Sequence, residues 1–324
     1  MPAVDMPIEE LKKYMGRNPK PADFDEYWER ALAEMNAVEA NPEFILAEFQ
    51  VPGYECFDLY FTGVKNARIH CKFVKPKKIE GKAPVVFWFH GYSADSGDWA
   101  DKLRYAALGF VVCAIDCRGQ GGLSEDSNPV KGNTLRGQII RGAELNDDPD
   151  NLYFRQIYLD IAQMVGIVKE LDYVDENRMG AYGGSMGGGL TIACAALTPE
   201  IKKAYAIYPF LCDYKRAWEM DLAYRAYYDI RDHFRYYDPR HQYEDEFFER
   251  LGYIDVAHLA PRIKAEVVMA TALLDQTCPP STQFAVYNHI QSKKHLEVFP
   301  DFAHENLKGI EDLNMQFLIS LLEE

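Results

Sequence analysis

The chain has no surplus of positive charge, no long apolar run and no paired-cysteine motif. Each absence removes a class of function. Lys and Arg number 35 against 50 Asp and Glu, a formal net charge of −15 over 324 residues. Such a chain repels phosphate backbones and anionic lipid, so neither nucleic acid nor a membrane is expected as a partner. No stretch approaches the roughly 18 consecutive apolar residues of a membrane span, and residues 1–6 lack the basic and apolar regions of a signal peptide. The seven cysteines are odd in number and include no Cys-x-x-Cys, so a disulfide framework is not expected and a reducing, cytoplasmic setting is. There is no His-Glu-x-x-His, no Cys/His cluster and no P-loop, and Gly119-Gln120-Gly121-Gly122 fails G-x-G-x-x-G. Neither a metal nor a nucleotide cofactor is therefore expected. Internal repeats and low-complexity tracts are also missing.

What is present is the texture of a globular α/β protein. Apolar residues make up 48% and charged residues 26%. Phe24, Tyr27, Trp28, Ala31, Leu32 and Met35 share one face of an early helix, with Asp23 and Glu26 spaced as a capping box. Strand patterns at 44–51, 56–60 and 68–74, separated by short Gly-containing connections, predict antiparallel pairing in an N-terminal extension over residues 1–75. From residue 84 the texture changes. Continuous apolar runs at 85–89 and 110–115 read as strands covered on both faces, with a helix between them near 98–108. Further strands are predicted at 179–182, 204–207, 266–271 and 296–299, with helices at 188–197 and 281–291. Ile310, Leu313, Phe317 and Leu321 read as the apolar face of a closing helix. This alternation predicts a mostly parallel central sheet with helices on both faces, in a single domain spanning residues 1–324. Residues 211–259, rich in Tyr, Phe and Trp, read as a helical insertion, either a lid or an oligomer contact. The Gly-rich segment 118–150 is too long for a plain connector.

The chemistry is carried by Gly183-Gly184-Ser185-Met186-Gly187. G-x-S-x-G alone arises by chance. Here an apolar strand precedes it and a small-residue helix follows, the strand–turn–helix of a nucleophile elbow. A serine hydroxyl is a weak nucleophile and needs a base and an orienting acid. In the chain order Ser, acid, His, Asp275 follows a late strand and His304 follows the last one. Asp301 is the rival acid, poorly placed to reach the far ring nitrogen of a histidine three residues away. His289 falls in a helix and His295 at a strand start. Acyl transfer also needs two donors for the oxyanion. The backbone N–H of Met186 is one. The N–H of Tyr92, after the 85–89 strand in His90-Gly91-Tyr92, is the other, and Tyr92 is also placed at the substrate.

With these residues in view, the chain resembles the cephalosporin C deacetylase and acetyl xylan esterase group, carbohydrate esterase family seven, of the α/β-hydrolase superfamily. The likeness runs from the opening Met6-Pro7-Ile8-Glu9-Glu10-Leu11-Lys12-Lys13-Tyr14 and the Asp23–Trp28 helix start through Arg118-Gly119-Gln120, Gly183–Gly188, Pro209–Asp213 and Asp275–Thr282 to His304-Glu305. The family usually has Gln after the nucleophile where this chain has Met186, so a side-chain hydrogen bond is expected to be lost and substrate preference altered. The resemblance implies an α/β-hydrolase fold and a Ser185–His304–Asp275 triad. It implies release of acetyl groups from small sugars such as xylo-oligosaccharides and from cephalosporin-type esters, without a cofactor. It also implies a homo-oligomer, a hexamer, to which the 118–150 segment contributes, with Arg118 tying that segment to the sheet. A peptidase or longer-chain carboxylesterase on the same fold, and a catalytically silent binding protein, are the other readings. On the deacetylase reading the protein works inside the cell on short imported sugars.

Overall fold

The computed structural model describes residues 4–128 and 137–323. One sheet holds nine strands: β1 (Glu43–Leu46), β2 (Tyr54–Thr62), β3 (Arg68–Pro76), β4 (Ala83–Phe89), β5 (Val111–Ile115), β6 (Val174–Gly184), β7 (Ile201–Ile207), β8 (Glu266–Ala272) and β9 (Lys294–Phe299). Their order across the sheet is β1-β2-β3-β5-β4-β6-β7-β8-β9. The strands from β4 to β9 are parallel. β1, β2 and β3 add antiparallel to the free side of β5, so the expected N-terminal strands extend the main sheet.

The helices are α1 (Ile8–Leu11), α2 (Phe24–Asn36), α3 (Trp99–Ala106), α4 (Tyr153–Lys169), α5 (Met186–Leu197), α6 (Tyr214–Glu219), α7 (Tyr228–Tyr236), α8 (Glu244–Gly252), α9 (Val256–Leu259), α10 (Pro280–His289) and α11 (Ile310–Ile319). Alternation along β4 explains its continuous apolar run. Val85, Phe87 and Phe89 join a core with residues of α2, α4 and α5, while Val86 packs with α3 and α11 on the other face. Both faces are covered, as parallel strands require. All seven cysteines are free and buried, small apolar side chains within these layers.

The sheet order positions the site. After β4 the chain crosses to β5 on one side, then returns through α4 to β6 on the other side of β4. The loops leaving β4 and β6 therefore diverge at neighbouring strand ends, and a crevice opens where the strand order reverses.

Several local expectations are corrected. The 44–51 strand ends at Leu46, because the Gln50 amide takes over the pairing: it donates to the carbonyls of Ala47 and Cys56 and accepts from the Cys56 N–H. The capping box at α2 does not form. Asp23 makes no capping hydrogen bond, and its carboxylate accepts the Tyr253 hydroxyl at 2.5 Å. On α11, Leu313 is 42% exposed, and Asn314 occupies the buried face, where its amide donates to the Tyr105 hydroxyl at 2.9 Å. Arg118 is buried and ties its loop to a helix rather than to the sheet. Its guanidinium forks onto Asp160 of α4 at 2.7 and 2.6 Å and also donates to the Val64 carbonyl. Of the 118–150 segment assigned to assembly, residues 129–136 lie outside the described residues.

Within 211–259 the chain forms α6 to α9. The segment opens with Leu211 and Asp213 at φ 70° and 45°. The Asp213 carboxylate holds that turn by accepting the Tyr14 hydroxyl and the backbone N–H groups of Arg17 and Asn18, all within 2.9 Å. Two segments far apart in sequence, the opening residues and the post-β7 turn, are thus fixed to each other.

Candidate active site

Ser185 sits between the end of β6 and the start of α5 with φ 57° and ψ −119°, a backbone region that non-glycine residues rarely occupy. The neighbouring chain holds it there. Its N–H donates to the Ile207 carbonyl at 3.0 Å, and its carbonyl accepts from Gly189 and Phe210. The turn is tight enough to need two glycines. A Cβ on Gly183 would lie 2.6 Å from the Phe89 carbonyl oxygen, and one on Gly187 would meet the same oxygen. Gly183→Ala is expected to destabilise the fold by about 3 kcal/mol through this overlap, measured as a lowered urea midpoint.

The loops after β8 and β9 bring the remaining groups to Ser185. His304 Nδ1 is 2.7 Å from Asp275 Oδ2, and His304 Nε2 is 3.1 Å from Ser185 Oγ. Asp275 is fully buried, and its other oxygen accepts the N–H groups of Thr277 and Cys278, each at 2.8 Å. A carboxylate held on both oxygens can only accept, so His304 must donate from Nδ1. Nε2 is then left with its lone pair facing the serine hydroxyl. Asp301, the rival acid, is exposed in the turn after β9 and is not the partner of His304. Glu305, next to the histidine, closes the His304 loop by accepting the Ala303 N–H at 3.0 Å.

Met186 is the first residue of α5, so its N–H has no partner within the helix and lies at the positive end of the helix dipole. Tyr92 follows β4 on the adjacent loop. His90 controls the peptide in front of it. The Cys117 N–H donates to His90 Nε2 at 3.0 Å, so Nδ1 carries the proton and donates to the Gly91 carbonyl at 2.7 Å. In a trans peptide the carbonyl and the following N–H point in opposite directions. Holding the Gly91 carbonyl therefore sets the direction of the Tyr92 N–H. Burial pushes the His90 pKa down, which keeps the imidazole neutral and able to play both roles. The Tyr92 hydroxyl accepts the Gln138 N–H at 2.6 Å, and its ring packs edge-on against Phe210 at 5.5 Å.

The methionine at 186 keeps a tie to the opposite loop. Gln120 Nε2 lies 3.4 Å from Met186 Sδ, while Gln120 Oε1 accepts the Ser93 N–H at 2.8 Å. A weak N–H···S contact stands where an amide pair was expected to be lost. Two further residues went unnoticed in the sequence. The Tyr208 ring, at φ 31°, lies 4.7 Å from the His304 ring. The Cys278 thiol lies beside the relay, its sulfur within 4.8 Å of donor atoms of Asp275 and His304, and burial pushes its pKa up, so it stays protonated. Tyr208 belongs to no motif, and Cys278, although it lies within the Asp275–Thr282 segment, has nothing beside it in the sequence that marks its thiol as part of the site. Asp275, Cys278 and His304 also have donor atoms within 4.8 Å of one another, a spacing that can hold a metal ion. Asp275 and His304 already engage each other there.

A serine hydroxyl facing the lone pair of an imidazole suits attack on a carbonyl carbon. The comparisons agree with that chemistry. The family profile of acetyl xylan esterase (AXE1) matches residues 1–321. The crystal structure of acetyl xylan esterase 1 from Thermoanaerobacterium sp. JW/SL YS485 superposes with a TM-score of 0.95 at 57% identity, covering 98% of this chain and 99% of that one. The acetyl xylan esterase from Paenibacillus sp. R4 gives 0.92 at 35% identity, covering 97% and 99%. Acetyl esterase Axe7A of Xylanibacter ruminicola is 28% identical over 307 residues, which is 91% of this chain but only 65% of that relative's length. The architecture is the α/β-hydrolase fold. With sheet, elbow and near full-length likeness in agreement, the chain belongs to the acetyl xylan esterase family, a family of carboxylic ester hydrolases.

Proposed function

We propose that this protein is a serine esterase that removes acetyl groups from small acetylated carbohydrates, xylo-oligosaccharides among them, and from cephalosporin-type acetate esters. The observation that carries this reading is the continuous relay from Asp275 through His304 to Ser185. Ser185 Oγ attacks the acetyl carbonyl while His304 Nε2 takes its proton. The N–H groups of Tyr92 and Met186 hold the oxyanion. Asp275 keeps the imidazole in its Nδ1–H form and stabilises the imidazolium that develops. As the tetrahedral intermediate collapses, His304 returns the proton to the leaving sugar oxygen, and an acetyl ester remains on Ser185. His304 then deprotonates a water molecule, which attacks that ester, and as the second tetrahedral intermediate collapses to acetate His304 returns the proton to Ser185 Oγ. Family membership and the rings of Tyr92, Phe210 and Tyr208 on the loops around Ser185 support a small acyl group.

Acetate release from acetylated xylo-oligosaccharides, acetylated glucose and cephalosporin C tests the substrate class. An acyl-length series of p-nitrophenyl esters tests the pocket. Activity is expected to fall steeply from acetate to butyrate. A flat profile would favour a longer-chain carboxylesterase.

A further inference from the structure

Two side chains of the segment before α7 reach the loop that carries Asp275. The Tyr224 hydroxyl donates to Gln276 Oε1 at 3.2 Å, and Arg225 Nη1 donates to Thr277 Oγ1 at 3.3 Å. Thr277 and Cys278 are also the residues whose N–H groups hold the Asp275 carboxylate. Arg225 is thus hydrogen-bonded to a residue whose own N–H holds the carboxylate of the relay. Arg225 is exposed, and its guanidinium carbon is 5.7 Å from the centre of the Tyr224 ring.

Arg225, like Arg231, Arg235 and Arg240, forms no ion pair among the described residues, whereas other nearby cations do. Arg216 pairs with Asp5, Lys215 with Asp245 and Arg17 with Glu219. Among the described residues no carboxylate forms an ion pair with Arg225, although the chain carries 50 acidic side chains. Among the described residues the guanidinium has one hydrogen bond, to Thr277, which leaves most of its N–H groups without a partner there. A planar guanidinium offers two parallel donors that match the two oxygens of a carboxylate. The acetyl half of the ester faces the oxyanion donors, so the alcohol half extends away from them.

We propose that Arg225, seated against Tyr224, is a subsite for a carboxylate on the alcohol half of the substrate, so that the enzyme favours acetylated sugar acids over neutral acetylated sugars. The proposal rests on the deacetylase reading above. In a chain of net charge −15 the long-range field disfavours an anionic substrate, so any preference for one has to come from a local cation.

The test compares acetylated methyl glucuronide with acetylated methyl glucoside, which differ by a carboxylate in place of a hydroxymethyl group. The wild type is expected to show the higher kcat/KM on the glucuronide. Arg225→Gln is expected to lower the ratio of the two kcat/KM values about tenfold, through KM of the glucuronide rather than kcat. Arg225→Lys is expected to keep part of the preference, since it retains the charge but loses the fork. If both esters are hydrolysed with the same ratio in wild type and Arg225→Gln, the subsite is wrong and the deacetylase reading stands. If neither sugar ester is hydrolysed while p-nitrophenyl acetate is, the carbohydrate reading fails and takes the subsite with it.

Discussion

Ser185→Ala is expected to leave the fold in place and to lower kcat for acetyl-ester hydrolysis by a factor on the order of 10⁶. The loss is large because the hydroxyl is the atom that forms the new bond. Without it, His304 and Asp275 have nothing to activate, and only the oxyanion donors and binding remain. Stability should barely move. The strained backbone at residue 185 is held by main-chain hydrogen bonds to Ile207, Gly189 and Phe210, none of which uses the side chain. Thermal unfolding beside p-nitrophenyl acetate kinetics separates the two effects. A melting curve within about 1 kcal/mol of wild type with activity gone is the expected pair of results. Activity within tenfold of wild type would remove Ser185 from the mechanism.

The second large effect is expected at Asp275→Asn, a loss of about 10⁴ in kcat. The hydrogen bonds explain why so small a change costs so much. One Asp275 oxygen already accepts the N–H groups of Thr277 and Cys278. An asparagine must keep its carbonyl oxygen on those donors, so its NH₂ turns toward His304. Nδ1 then has to accept, and the ring proton moves to Nε2. The nitrogen facing Ser185 becomes a donor and can no longer remove the hydroxyl proton. Size and loop contacts are retained, so the variant should fold. Asp301→Asn is the control. The exposed Asp301 lies outside the relay, and a comparable loss there would mean that the acid has been wrongly assigned.

Much of this was legible in the sequence, for identifiable reasons. The elbow was visible because a turn that must place Ser185 at positive φ between two close backbones tolerates little but glycine around it. The parallel strands were visible because β4 and β5, buried on both faces, leave no polar position along their runs. Asp275 and His304 were found from chain order, since each follows a strand of the parallel sheet. What escaped were contacts made across the sequence. Nothing near Gln50 marks its amide as the end of β1. Asp23 reads as a helix cap until Tyr253 arrives from 230 residues away. Asn314 takes a core position because the Tyr105 hydroxyl is there to receive its amide, and Leu313 is left outside. Tyr208 and Arg225 reach the loops of His304 and Asp275 through contacts that only the folded sheet brings together. The hydrogen bond between His90 and the Gly91 carbonyl gives His-Gly-Tyr a physical meaning that the letters alone lack.

The central claim is that Ser185, activated through His304, is the nucleophile. Labelling with a serine-directed phosphonate tests it most directly, with the site of attachment read by peptide mass spectrometry. The account predicts one phosphonyl group per chain, on the peptide containing Ser185, with acetyl-esterase activity falling in proportion to labelling. A chain that stays unlabelled, or that carries the label elsewhere while acetyl-ester hydrolysis continues, would contradict it.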